Sequence, residues 1–239
     1  MILIPQQIHI SWKTPDIFNS QSPLIENGLK NLIKMNGDWT IKFYVDAEID
    51  SYLKQNLDIR EYTLIQNCSI VEKLDIWRLY KLYTEGGLYI DLDRLYNIPL
   101  SKIITEKTKW VLPIQNDFDF SHDFMLSAPY NPVYKEAIEL YWQRRSMGYT
   151  NVYLLGAQTY MHAITKCLTG NIIDTNPGKE VFDELKKLLH SLPFIVTYTE
   201  RAPFDTIVFR KTDDIQFDHE KEKRKLYAEF GLKHWSGDW

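Results

Sequence analysis

Asp91 and Asp93 stand two residues apart, just behind the run Leu88-Tyr89-Ile90. Side chains alternate along a strand, so Tyr89, Asp91 and Asp93 share one face and Leu88, Ile90 and Leu92 the other. At the usual rise per residue the two carboxylates sit roughly 7 Å apart at the Cα level. Carboxylates so spaced suit a divalent cation and the polyphosphate it brings. Unaccompanied, they repel, and Mn2+ or Mg2+ removes that penalty. Such ions take few protein ligands, so one distant group would complete the set. His234, beside Trp235 and Trp239 at the chain end, is the candidate. The blander alternatives are acids that cap a turn and an exposed tail histidine.

The segment before the acids adds an arginine. Val71, Asp75, Arg78 and Leu82 follow the i, i+4, i+7, i+11 spacing of one helical stripe. An exposed Asp75–Arg78 pair would contribute only about 0.2–0.5 kcal/mol. However, Leu74, Trp77, Tyr80 and Tyr83 make the other faces apolar as well. A helix this apolar is expected to be buried, and buried charges need a partner or a task.

The elements that position these groups follow from local signals. Ser69 and Glu72 form a capping box that starts the helix, and Gly86 ends it in a left-handed cap. Strands are predicted at 2–12, 39–45, 88–93, 109–114, 123–127, 195–198 and 206–210. Helices are predicted from Ser22-Pro23 to about Met35, and at 47–55, 58–66, 131–145, 156–169 and 178–190. Residues 213–225 are charged without an apolar period and are read as an exposed loop or helix, with Lys221 to Lys225 as a solvated face or mobile loop. Alternating strands and helices predict an α/β sheet covered on both faces. Ligands in such sheets gather at the carboxyl ends of strands, where Trp12, Asp46 and Asp91/Asp93 fall.

Composition narrows the function classes. The chain has 239 residues, 44% of them hydrophobic, which suits one domain with a packed core. A net charge of −4 with no long basic run argues against nucleic acid as a partner. Two cysteines, Cys68 and Cys167, are too few for a disulfide framework or a metal set. Neither a signal peptide nor an apolar run near the roughly 20 residues of a membrane span is evident, so a cytoplasmic setting, bacterial or viral, is expected. A peripheral membrane contact stays open.

Leu74-Asp75-Ile76-Trp77-Arg78-Leu79-Tyr80, then Leu82-Tyr83-Thr84-Glu85-Gly86-Gly87-Leu88-Tyr89-Ile90-Asp91-Leu92-Asp93, resembles the central signature of the DXD-type glycosyltransferases. That group includes yeast α-1,6-mannosyltransferase-like enzymes, capsular polysaccharide transferases and the catalytic domains of clostridial glucosylating toxins. Ile8-His9-Ile10-Ser11-Trp12-Lys13-Thr14 and Leu155-Gly156-Ala157-Gln158 resemble it more loosely.

The resemblance implies a single GT-A domain, a Rossmann-like mixed sheet flanked by helices. Residues 1–95 would hold donor and metal, and 96–239 would hold the acceptor and a C-terminal lid. It implies that Trp12 stacks on a nucleobase beside Ile10, with Ile70 also among the donor-binding residues. Asp75 and Arg78 would hold sugar hydroxyls and phosphate, and Tyr89 would line the sugar pocket. Asp91 would touch ribose, sugar or metal; Asp93 and His234 would bind the metal; Ser236 and Trp239 would contact the diphosphate. Asp91, Asp93, Arg78 and Asp123 form the implied catalytic set. The chain departs from many relatives at Gly156-Ala157-Gln158 and at His122-Asp123.

The expected activity is metal-dependent transfer of a sugar from a nucleotide-diphosphate sugar to a glycan or other hydroxyl acceptor, with retention. A UDP-sugar is favoured and a GDP-sugar remains open. An inverting route would need a base, for which Asp117, Asp119 or Asp123 could serve. The alternatives are a metal-dependent phosphohydrolase and a non-catalytic carbohydrate-binding domain.

Overall fold

The computed structural model describes residues 3–93, 99–116, 119–120, 122–170, 187, 196–200 and 219–234. Among these, seven strands form one mixed sheet: Gln7–Ser11 (β1), Thr40–Tyr44 (β2), Gly87–Ile90 (β3), Trp110–Asn116 (β4), Asp119–Phe120 (β5), Phe124–Ser127 (β6) and Val196–Glu200 (β7). β1 runs parallel between β2 and β3. β6 then pairs antiparallel with both β3 and β4. β4 also pairs antiparallel with β5 and parallel with β7. The helices are Asn31–Met35 (α1), Asp46–Asn56 (α2), Ile59–Ile65 (α3), Ile70–Thr84 (α4), Pro132–Ser146 (α5), Val152–Leu155 (α6), Ala157–Thr169 (α7) and His219–Glu229 (α8).

The sheet is covered on both faces, as its apolar strands require. Tyr89 of β3 joins a core built with Trp77 of α4, Tyr134 of α5 and Tyr160 of α7. Its neighbours Leu88 and Ile90 join a second core with Ile8, Ile10, Leu32 and Leu226. The expected α/β class and the Rossmann-like mixed sheet flanked by helices are therefore observed.

The turn from α4 into β3 depends on its two glycines. Gly86 has φ +65° and Gly87 φ +93°, backbone that side chains rarely tolerate. A Cβ on Gly87 would stand 2.6 Å from the Gln7 carbonyl oxygen, so β1 could not pair this closely.

Several expectations shift in detail. The helix expected from residue 22 is a π-helix over Ile25–Lys30 before it tightens into α1. Asn27 gives the reason: its side chain donates to the Pro23 carbonyl, the acceptor that an α-helical backbone bond would use (2.9 Å). The helix expected over 156–169 is observed as α7, and a short helix that was not expected, α6, precedes it across Gly156. Residues 219–229 are helical, one of the two readings of that charged stretch. The elements expected at 178–190 and 206–210 lie outside the described residues, a helical assignment at Lys187 apart.

His9 ties β1 to the glycine turn. Its Nε2 lies 3.0 Å from the Gly86 carbonyl, which can only accept, so Nε2 carries the proton and the Tyr44 hydroxyl donates to Nδ1 at 3.3 Å. Burial pushes the imidazole down to about 4 from its ordinary 6.5. The unfolded chain thus takes up a proton at His9 well before the folded chain does. Stability from this site is complete above about pH 6.5 and falls as pH drops toward 4, by about 3 kcal/mol in all. Urea unfolding at pH 5 and pH 7.5 should show a smaller pH loss for His9→Gln than for the parent; equal losses would assign the dependence elsewhere.

Candidate active site

β1 and β3 run parallel, and the chain leaves both at the same sheet edge, with Trp12 just past β1 and Asp91 just past β3. A cleft of about 190 Å³ opens there, between these strand ends, α4, α6 and α8. Asp75 and Arg78 reach it from α4, and Tyr89, Asp91 and Asp93 from β3 and the turn beyond. The sequence stripe on α4 and the acidic strand end therefore meet in one place, as the open α/β rule requires.

Arg78 holds the group together. Its guanidinium pairs with the Asp75 carboxylate, one helical step away. It also donates to the His122 carbonyl (3.3 Å), lies 3.8 Å from Asp91 and sits 5.2 Å over the Tyr89 ring. Asp75 and Arg78 are 4% and 5% exposed, so this is the buried pair and not the surface one. Gly156 packs directly on Asp75; a Cβ there would stand 2.7 Å from the carboxylate carbon. The break between α6 and α7 thus makes room for Asp75.

The Tyr89 hydroxyl donates to Asp91 at 2.7 Å, and burial first, then Asp91, raises the phenol well above its usual range. Asp91 itself is pushed up to about 6, chiefly by burial and further by Asp93 and Asp123, against the opposing pull of Arg78. About a third of its side chain (34%) still faces the cleft. The strand ends at Ile90, earlier than expected, and Leu92 and Asp93 lie in a turn. Leu92 nevertheless joins the same core as Leu88 and Ile90.

Other expected residues are placed as follows. Asp123 is buried beside Asp91, whose backbone N–H donates to the Asp123 carbonyl (3.0 Å), and it does not line the cleft. Trp12 lines the cleft, with Tyr227 and Phe230 edge-on to its ring at 5.6 and 5.8 Å. Ile10 is fully buried behind it, and Ile70 packs at the edge of the core; neither side chain lines the cleft. Asp46 opens α2 and stands outside the cleft lining. His234 packs 6.0 Å from the Tyr227 ring and is not clustered with Asp91 and Asp93. Ser236 and Trp239 lie outside the described residues, as do Trp235 and Asp117, and the Asp119 side chain is not described.

The sequence reading missed Lys223 and Tyr227 on α8, and Tyr153 on α6, all of which line the cleft. Lys223 Nζ is 2.5 Å from Asp93 Oδ2. The signal was present: Lys223, Leu226, Tyr227 and Phe230 stand at i, i+3, i+4 and i+7, an inward stripe inside a charged run.

The acids fit a hard divalent cation by their oxygen chemistry and by the excess negative charge that Lys223 offsets here. Among the described residues no group of three or more His, Cys, Asp or Glu could hold a metal by itself. Phosphate and water would have to supply the remaining ligands.

The fold and cleft define an α/β protein with an arginine-braced acidic site at its strand ends. Residues 22–110 match the family model described as the glycosyltransferase sugar-binding region containing the DXD motif. Over this region the chain is similar to the DXD-type glycosyltransferases, in the same segment that holds its signature residues. It is 27% identical over 135 residues to inositol phosphoceramide mannosyltransferase 1 of Schizosaccharomyces pombe, covering 56% of this chain and 42% of that protein. It is 28% identical over 137 residues to mannosyl phosphorylinositol ceramide synthase CSH1 of Saccharomyces cerevisiae, covering 57% and 35%. The match thus spans less than half the length of either relative. A solved structure titled PaToxG glycosyltransferase aligns over 95% of this chain and 86% of that one, at 17% identity and TM-score 0.48, too distant to establish a common fold.

Proposed function

We infer that this protein is a metal-dependent glycosyltransferase that moves a sugar from a nucleoside-diphosphate sugar to a hydroxyl acceptor. The observation that carries this reading is the joining of Asp75, Arg78, Tyr89, Asp91 and Asp93 in one cleft, inside the segment that matches the sugar-binding region. Asp91 and Asp93 would hold Mn2+ or Mg2+, which when bound supplies charge stabilisation for the leaving diphosphate.

The chain's own residues do the rest. Arg78, pinned by Asp75, is a fixed cation for phosphate oxygens or sugar hydroxyls that needs no reorganisation during the reaction. Tyr89 fixes the orientation of Asp91 through its hydroxyl. Trp12 offers an aromatic face for the base. The carboxylates lining the cleft among the described residues are Asp75, Asp91 and Asp93, all committed to this network. Asp123 is buried and does not line the cleft, so among the described residues no further acid lines it as an inverting base, and we read the transfer as retaining. The anomeric configuration of the product, seen by NMR, tests that point.

Both relatives are named for mannosyl products or activity, which makes mannose a donor sugar to try first, as the UDP or GDP ester. A glycan is the acceptor class favoured by the family signature. The setting is read as cytoplasmic, supported by two unpaired cysteines. Among the described residues no helix is long and apolar enough to cross a membrane.

Thermal unfolding with Mn2+ and a panel of UDP- and GDP-sugars tests the reading. A true donor at 100 times its dissociation constant should stabilise the fold by about 2.7 kcal/mol, and the shift should vanish with EDTA. No shift with any donor would refute it. Phosphate release without an acceptor or sugar transfer would favour a phosphohydrolase.

A further inference from the structure

α8 is fastened to the first half of the chain. Leu226 is fully buried in the second core, Ser20 donates to Glu229 (2.9 Å), and Lys13 donates to the Phe230 carbonyl (3.2 Å). Its basic residues divide by direction. Arg224 and Lys225 pair with Glu220 and Glu222 of the same helix. Lys223 points inward, lies 5.7 Å over the Tyr227 ring and meets Asp93. Asp93 is 5% exposed, and a carboxylate so enclosed needs a cation.

A divalent ion seated on Asp93 would compete for Oδ2, the oxygen that Lys223 now holds. Two cations cannot share one carboxylate cheaply, so the ammonium must leave. Its flexible four-carbon stem keeps it in the cleft, where it is a mobile point charge suited to phosphate. We propose that Lys223 is an exchange cation: it neutralises Asp93 until a divalent ion takes that carboxylate, then binds the phosphate oxygens that arrive with the ion. This rests on the donor-and-metal reading above and adds to it a residue, outside the matched region, that links metal entry to donor capture.

Calorimetric titration of the full chain with Mn2+ alone, then with UDP or GDP at saturating Mn2+, tests the exchange. Lys223→Met keeps the stem over Tyr227 and removes the charge. It should bind Mn2+ alone about fivefold tighter, because one partly exposed ion pair no longer competes. It should bind the nucleoside diphosphate about tenfold more weakly, from one lost charge-assisted bond. Lys223→Arg, which keeps the charge, should return both affinities toward the parent values. Unchanged or weaker Mn2+ binding by Lys223→Met, or unchanged nucleotide binding, overturns the exchange while leaving the donor site intact. A parent protein that binds neither Mn2+ nor nucleotide overturns both readings together.

Discussion

Asp93→Ala should lower sugar transfer by roughly 10²–10³-fold, the loss typical when one preorganised charge-stabilising group is removed from a developing anion. Asp93 sits in a turn beyond the end of β3, its backbone outside the sheet's hydrogen-bond ladder. Its known partner, Lys223, is 21% exposed and can swing toward water when the carboxylate is gone. The change in unfolding free energy should therefore stay within about 1 kcal/mol, the range of a partly exposed ion pair. Activity and stability separate in this variant, which is what a group dedicated to the reaction should show. The checks are initial rates with the donor identified by thermal shift, and urea unfolding of the same preparation. A variant that transfers at the parental rate, or a parent fully active in EDTA, would remove the metal from the reaction.

The site was legible where chemistry and local structure speak through the same residues. The α4 stripe places Asp75 and Arg78 by helical periodicity alone, and the paired glycines fix how α4 turns into β3. Strand alternation put Tyr89 with Asp91, and the hydrogen bond between them confirms it. Alternation carried too far past Ile90, because the chain turns there and Asp93 is oriented by Lys223 rather than by a strand. Lys223 was hidden for a physical reason. In a run of five charges the solvated face dominates the composition, and the inward stripe shows only once Leu226, Tyr227 and Phe230 are counted with it. Gly156 gave no sign of its task, since only the fold brings the α6–α7 break against the Asp75 carboxylate. His234, chosen as a distant ligand beside Trp235 and Trp239, packs against Tyr227, which lines the cleft.

Arg78→Met is the variant that should damage the fold itself. Replacing the guanidinium leaves Asp75, 4% exposed and enclosed by Gly156, as a buried charge without its main partner. Breaking such a pair costs about 3–5 kcal/mol, a large part of the 5–15 kcal/mol that holds an ordinary domain together. The same change removes the cation that draws down the Asp91 carboxyl, so Asp91 should shift further above its present value near 6 and hold a divalent ion less readily at neutral pH. The double variant Asp75→Asn with Arg78→Met removes both charges together, and most of the lost stability should return, because neutral groups of similar volume are far cheaper to bury. Transfer should not return with it: both variants lack the fixed cation and should remain at least about 10²-fold slower than the parent. Urea midpoints and initial rates, measured for parent, single and double variants, separate these two roles. If the double variant regained activity along with stability, Arg78 would be a structural partner of Asp75 and the phosphate-binding role would pass to Lys223 and the metal.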